Sequence, residues 1–200
     1  MRGIFNGKKT LFIHANDINE LSEAIYFKKR YNIPKMVIVG GFDSWRTPEL
    51  FVDNNIPIIL KRIHSLPSRP DEDIDLPYKL PKLLDDAGIL FCLENSGSME
   101  VMGTRNLPFY AGTARAYGLE EEKAVQIITL NTAKILGIDE KVGSIEEGKD
   151  ATFFVSEGDA LDMMSNNVLI AFIQGRIIDL DNHQKQLYRK YQAKYEGQKD

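Results

Sequence analysis

An α/β fold built on a parallel sheet is what this sequence predicts, and three observations carry the prediction. Apolar runs alternate with helical patterns four times in the first hundred residues. The runs, among them Met36-Val37-Ile38-Val39 and Pro57-Ile58-Ile59-Leu60, are continuous rather than alternating, as in parallel strands covered on both faces. After Gly137 the pattern changes to strands separated by turns, a small β unit rather than another strand–helix repeat.

The elements follow in order. Thr10–Ile13 is the first strand and ends at His14. Asp17, with Glu20 three residues on, has the spacing of a helix-starting capping box. Ile18, Leu21 and Ile25 give that helix its buried stripe, and it stops near Asn32, ahead of Pro34. Met36–Val39 is the second strand, closed by Gly40-Gly41. Thr47–Asn54 reads as a helix with Pro48 at its first position, and Pro57–Leu60 as the third strand. The stretch Lys61–Leu76 is a long loop holding His64, Arg69 and the acidic run Asp71-Glu72-Asp73, read as solvated surface. A helix over Tyr78–Ala87, stopped by Gly88, leads to the fourth strand, Ile89–Leu93. Asn106–Tyr117 and Glu120–Leu136 are further helices, the second opened by Glu120, Glu121 and Glu122, which suit the positive end of a helix dipole. Strands are expected within Ser144–Val155 and Val168–Ile178. In the polar last 20 residues, Leu187, Tyr191 and Tyr195 recur every four and read as the packing stripe of a terminal helix.

Composition narrows the function. Two hundred residues with 43% apolar content make one large domain or one and a half small ones. The net charge of −4, from 25 basic and 29 acidic residues without a basic patch, argues against a nucleic-acid partner. A single cysteine, Cys92, excludes an internal disulfide framework and a cysteine-based zinc cluster, and reads as core. No apolar run reaches the length of a membrane span, and Met1–Lys9 has no signal-peptide core. Both a cytoplasmic and an exported location stay open.

A closed (β/α)8 barrel needs eight strands and about 250 residues. Four strands fit half of one, or equally a small doubly wound sheet. Strand pattern alone leaves both open.

Two adjoining segments separate them. Asn131-Thr132-Ala133-Lys134-Ile135-Leu136-Gly137 ends the strongest helix, and Gly143-Ser144-Ile145-Glu146-Glu147-Gly148-Lys149-Asp150-Ala151 leads into Thr152–Val155. With these segments the chain from Thr10 to Arg176 resembles the imidazolonepropionase-like branch of the amidohydrolase superfamily. The resemblance implies the C-terminal half of a TIM-like (β/α)8 metal-dependent hydrolase barrel followed by a small β unit. Residues 1–137 would be barrel strands five to eight with their helices, 138–180 strands of a small composite β domain, and 181–200 a polar C-terminal helix or tail. Strands one to four are expected ahead of Met1, so the chain is expected to be a piece of a longer protein. The N-terminal half of the barrel, in the same or another chain, is the implied partner; self-association is left open. The implied activity is hydrolysis of a carbon–nitrogen, non-peptide bond, cyclic amides included, in a small-molecule substrate. A divalent metal, zinc first among candidates, would serve in the full-length protein, and this piece alone is expected to be inactive and can lack the metal.

The resemblance also points to residues. His14 stands where the family places a metal-binding histidine at the end of strand five. Gly40-Gly41 replace a second histidine at the end of strand six; their plain reading is a tight turn that brings backbone close to something. Asn95 takes the place of the aspartate that ends strand eight, with Glu94 beside it. An amide is no base near neutral pH, and Glu94 would need a bulge to take the role, because neighbouring strand residues face opposite ways. His64 is a candidate second ligand, and Trp45 and Arg62 are candidates for substrate contact, with Phe42 beside Trp45 at the presumed mouth. Two rivals remain: an amidohydrolase-like scaffold or interaction domain without catalysis, and a small doubly wound ligand-binding domain.

Overall fold

The computed structural model describes residues 1–95 and 100–197, with the side chains of residues 100 and 101 left aside. A short helix α1 (Arg2–Phe5) precedes β1 (Leu11–Ala15) and α2 (Ile18–Arg30). Next come β2 (Met36–Gly40), a 3-10 turn (Phe42–Arg46), α3 (Pro48–Val52), β3 (Ile58–Leu60), α4 (Leu76–Asp86) and β4 (Phe91–Leu93). Beyond them lie α5 (Glu100–Gly103), a 3-10 turn (Thr104–Asn106), α6 (Leu107–Ala116), α7 (Glu121–Gln126) and α8 (Leu130–Leu136). The chain ends with β5 (Phe153–Glu157), β6 (Asn167–Ile173), β7 (Arg176–Ile178) and α9 (His183–Glu196). The last three residues of the 181–200 segment lie outside the described residues.

The first four strands form one parallel sheet in sequential order, β1-β2-β3-β4. Its faces differ. Ala15, Met36, Ile38, Ile58, Leu60, Phe91 and Leu93 point into one core, built with Leu21 and Ile25 of α2, Leu80 and Leu84 of α4 and Ala111 and Ala114 of α6. The opposite face carries Phe12, His14, Val37, Ile59 and Cys92. Ile135 of α8 packs on Val37 and Cys92 there, while Phe12 and His14 are exposed. A doubly wound sheet carries helices on both faces; here the main core lies on one face, as in a segment of barrel wall. The coverage on both faces expected from the apolar runs is thus realised fully on one side only.

The helix expected over Glu120–Leu136 is two helices, α7 and α8. The Ile127 carbonyl accepts a hydrogen bond from the Leu93 amide at 3.2 Å, and the Asn131 side-chain amide donates to the Phe91 carbonyl at 3.0 Å. Both bonds occupy the outer edge of β4, so the helix bends where its backbone is diverted to the strand.

Tight packing joins α6 to the segment after β5. A side chain on Gly112 would place Cβ 2.2 Å from the Leu161 carbonyl oxygen. Alanine normally favours a helix over glycine by about 1 kcal/mol. Here Gly112→Ala is expected instead to destabilise the protein by about 1–3 kcal/mol, because backbone must move; chemical denaturation reads the sign directly.

The second sheet is antiparallel, β5-β6-β7, with a bulge between Val155 and Ser156. None of its strand residues is buried, and its best internal contact is Phe153 against Phe172 at 5.0 Å. Helix α9 also buries nothing. Tyr191 and Tyr195 are exposed beside Lys190 and Lys194 rather than packed, which corrects the expected packing stripe.

Candidate functional site

The C-terminal ends of the four parallel strands gather the candidate residues, since all four strands run the same way. In the ladder His14 pairs with Val39, Val39 with Ile59, and Ile59 with Cys92. These four share one level and one face, the face opposite the main core. His14 is exposed there.

Gly40 and Gly41 both have positive φ, at 110° and 67°. The Gly41 amide donates to the Ala15 carbonyl at 2.8 Å. A Cβ on Gly40 would lie 2.5 Å from Asn16 Oδ1 and 2.9 Å from the Ala15 carbonyl oxygen. The end of β2 is therefore wrapped tightly against the end of β1, which is the close backbone approach that the Gly-Gly pair suggested.

Glu94 and Asn95 directly follow β4. The Glu94 amide donates to the Leu60 carbonyl at 2.9 Å, continuing the β4 ladder one step past Leu93. Alternation from Cys92 then places Glu94 on the His14 face without a bulge. Asn95 Nδ2 lies 3.7 Å from where a Gly103 Cβ would sit, beside α5. Cys92 is buried, as expected of a core cysteine. Burial pushes its thiol up to about 11, against a hydrogen bond with Thr132, and the Glu94 charge adds to the rise.

His64 lies elsewhere. Its Nε2 is 2.7 Å from Thr113 Oγ1 on α6, and its ring packs on Tyr110 and edge-on to Tyr78. Burial, then the positive charge of Arg62, lowers its pKa. The structure thus joins His64 to α4 and α6 and shows no contact with the β1 end. Trp45 and Phe42 pack against the main core rather than standing free at a mouth, and Arg46 sits 4.7 Å over the Trp45 ring. Among the described residues no group of three His, Cys, Asp or Glu side chains could hold a metal ion.

Sequence reasoning missed the strongest electrostatic feature at this end. Arg69 is not solvated surface. Its guanidinium reaches Asp43 at 2.6 Å, Glu72 at 2.8 Å and Asp17 at 3.3 Å, and Arg46 spans Asp43 and Glu72 at 3.3 and 3.1 Å. Asp43 and Glu72 are nearly inaccessible, with side chains 1% and 3% exposed. Asp43 also accepts the Ile18 amide at 3.1 Å, at the start of α2. Glu20 accepts from the backbone of Asn16 and Asp17, so the acidic half of the expected capping box is present. The loops after β1, β2 and β3 are thereby fastened together. The Arg69 hydrogen bonds hold the Asp43 carboxyl below its usual range against the effect of burial. Burial pushes Glu72 up, yet hydrogen bonds from Arg69 and Arg46 hold it below as well.

A sequence model described as the amidohydrolase family matches residues 78–178, half of the chain. This chain belongs to the amidohydrolase family. The fold agrees: an amidohydrolase from Thermotoga maritima MSB8 superposes with a TM-score of 0.78 at 26% identity, covering 89% of this chain and 45% of that protein. An adenosine deaminase from Xanthomonas campestris, solved with bound zinc, shares the fold at 14% identity and a TM-score of 0.57, covering 96% of this chain and 52% of its own. Adenine deaminase 3 of Rhizobium meliloti (strain 1021) is 27% identical over 95 residues, 48% of this chain and 15% of that protein. The amidohydrolase chain described here therefore spans under half the length of the Thermotoga maritima protein. Its parallel sheet is part of a TIM-barrel wall of that family.

Proposed function

We propose that this chain is the C-terminal half of a hydrolase that cleaves a carbon–nitrogen bond in a small molecule, of the imidazolonepropionase-like branch. The observation that carries this reading is His14, next to last in β1 on the sheet face opposite the main core, near the strand-end pole where barrel enzymes place their chemistry. Glu94 on that same face adds a carboxylate suited to proton transfer. Residues 1–137 then represent barrel strands five to eight, and 138–180 part of a small β domain. The divalent ion this reading calls for, zinc first, would need most of its ligands from the other half of the barrel, in the same or another chain. The 200 residues alone are inactive in this reading.

A second reading is favoured by one observation. The end of β2 is closed to any side chain at Gly40, so the position that would complete a histidine pair is lost in the backbone itself. A non-catalytic amidohydrolase-like scaffold fits that loss.

Metal analysis of the protein purified at its natural length separates the two. Stoichiometric zinc, manganese or iron that disappears in His14→Ala supports the hydrolase. A protein free of all three metals overturns it and leaves the scaffold.

A further inference from the structure

The cavity around His64 belongs to neither reading. It measures about 510 Å³ and is lined by His64, Ser65, Leu66, Tyr78, Thr113 and Tyr117. It sits between the loop after β3 and helices α4 and α6.

Hydrogen bonding favours one tautomer of its imidazole. Thr113 Oγ1 donates its single hydrogen to the Phe109 carbonyl at 3.0 Å, the turn before it in α6. That bond favours Thr113 Oγ1 as the acceptor toward His64, 2.7 Å away, with the proton on His64 Nε2. Nδ1 is left as a lone-pair acceptor, with no partner among the described residues. The ring is clamped in this orientation: Tyr110, itself buried, lies against it at 4.4 Å, and Tyr78 meets it edge-on at 5.8 Å. The positive charge of Arg62 and partial burial both favour the uncharged ring.

The remaining wall sets the rings of Tyr78 and Tyr117 and the side chain of Leu66 beside the hydroxyls of Ser65 and Thr113. Tyr78 and Tyr117 lie 5.3 Å apart, and Leu66 is 75% exposed at the rim, an apolar side chain left open to solvent. Among the described residues no Lys, Arg, Asp or Glu lines the cavity. A charged ligand would lose hydration without gaining a counter-charge. A flat ring gains contact with the aromatic walls. A hydrogen-bond donor on that ring would satisfy Nδ1.

We propose that this cavity binds a neutral, planar heteroaromatic ligand through an N–H group donated to His64 Nδ1. The site shares no residue with the His14 and Glu94 face, so its failure would leave the proposed hydrolase reading untouched, and the reverse holds.

Benzimidazole is a suitable probe near pH 7.5, where it is neutral and carries one N–H. 1-Methylbenzimidazole has the same ring without the donor. Titration of the protein purified at its natural length, followed by ligand-observed NMR and by the imidazole resonances of His64, is expected to show saturable binding of benzimidazole. The methylated analogue should bind about tenfold more weakly, the size of one lost hydrogen bond. His64→Ala and Tyr117→Ala should each weaken benzimidazole by a similar factor, whereas Tyr188→Ala on the exposed α9 should not change it. His64→Gln, which keeps a side-chain acceptor, guards against a folding defect and should retain part of the affinity. Equal binding of both probes, insensitivity to the His64 and Tyr117 variants, or no saturation at millimolar probe would each overturn the proposal.

Discussion

Asp43→Asn is expected to lower stability at pH 7 by about 3 kcal/mol, near the lower end of what breaking a buried ion pair costs. For a chain of this size that corresponds to a fall in Tm of roughly 6–12 °C. The substitution keeps the shape of the side chain. What changes is that an acceptor-only carboxylate becomes half donor, facing the donor groups of Arg69 and Arg46. Asp43 is one acceptor for three elements: the guanidinium after β3, the guanidinium in its own turn, and the first amide of α2. Losing it loosens the long loop from 61 to 75, which has no strand or helix of its own. Arg69 remains partly exposed and keeps Glu72, which is why the lower end applies.

The pH dependence of this loss has a definite sign. Asp43 and Glu72 both titrate below their ordinary values in the folded state. Such groups add stability above their unfolded pKa, near 4, and that contribution fades as pH falls through the lower folded value. The gap between wild type and Asp43→Asn should therefore be full at pH 7 and narrow below about pH 4. Urea unfolding at pH 7 and at pH 3.5 measures it. A gap that is equal at both pH values, or smaller than about 1 kcal/mol at pH 7, would show that the cluster is a surface ornament of the kind exposed pairs form.

The four parallel strands were legible because each is a short run of residues with nowhere to go but inside. Ile38, Ile58, Phe91 and Leu93 are buried, and only the boundaries shift by a residue or two. The helix break between α7 and α8 was not legible, since its cause is the Leu93 amide some 34 positions earlier, which claims the Ile127 carbonyl. The Asp43–Arg69–Glu72 cluster was hidden for the same reason. Its members lie 26 and 3 residues apart, and the sequence of their loop reads like any polar surface. His64 was visible as a residue but not as a site, because its partners come from two helices that only tertiary packing brings together. That the β3–β4 ladder runs one step past Leu93, to the Glu94 amide, is set by the Leu60 carbonyl of a neighbouring strand and so was not legible in the sequence.

Gly40→His tests the strand-end reading from the opposite direction. Residue by residue it restores the histidine that the amidohydrolase resemblance expects at the end of strand six. If that histidine had simply been replaced, its return at the end of β2 should help to hold zinc. The structure predicts otherwise. At φ 110° a side chain is strained wherever it points, at about 1–3 kcal/mol. Its Cβ would also press on Asn16 Oδ1 and on the Ala15 carbonyl, and the second of these is backbone of the strand that carries His14. With overpacking added, the variant should lose about 3 kcal/mol. Gly40→Ala should lose nearly as much, since the penalty comes from Cβ and not from the imidazole. The expected result is two similarly destabilised proteins, neither binding zinc more tightly than wild type by calorimetric titration. Were Gly40→His to keep its stability and gain zinc affinity that Gly40→Ala lacks, the end of β2 would be shown able to open for a ligand. The hydrolase reading would then gain the position that the scaffold reading relies on being closed.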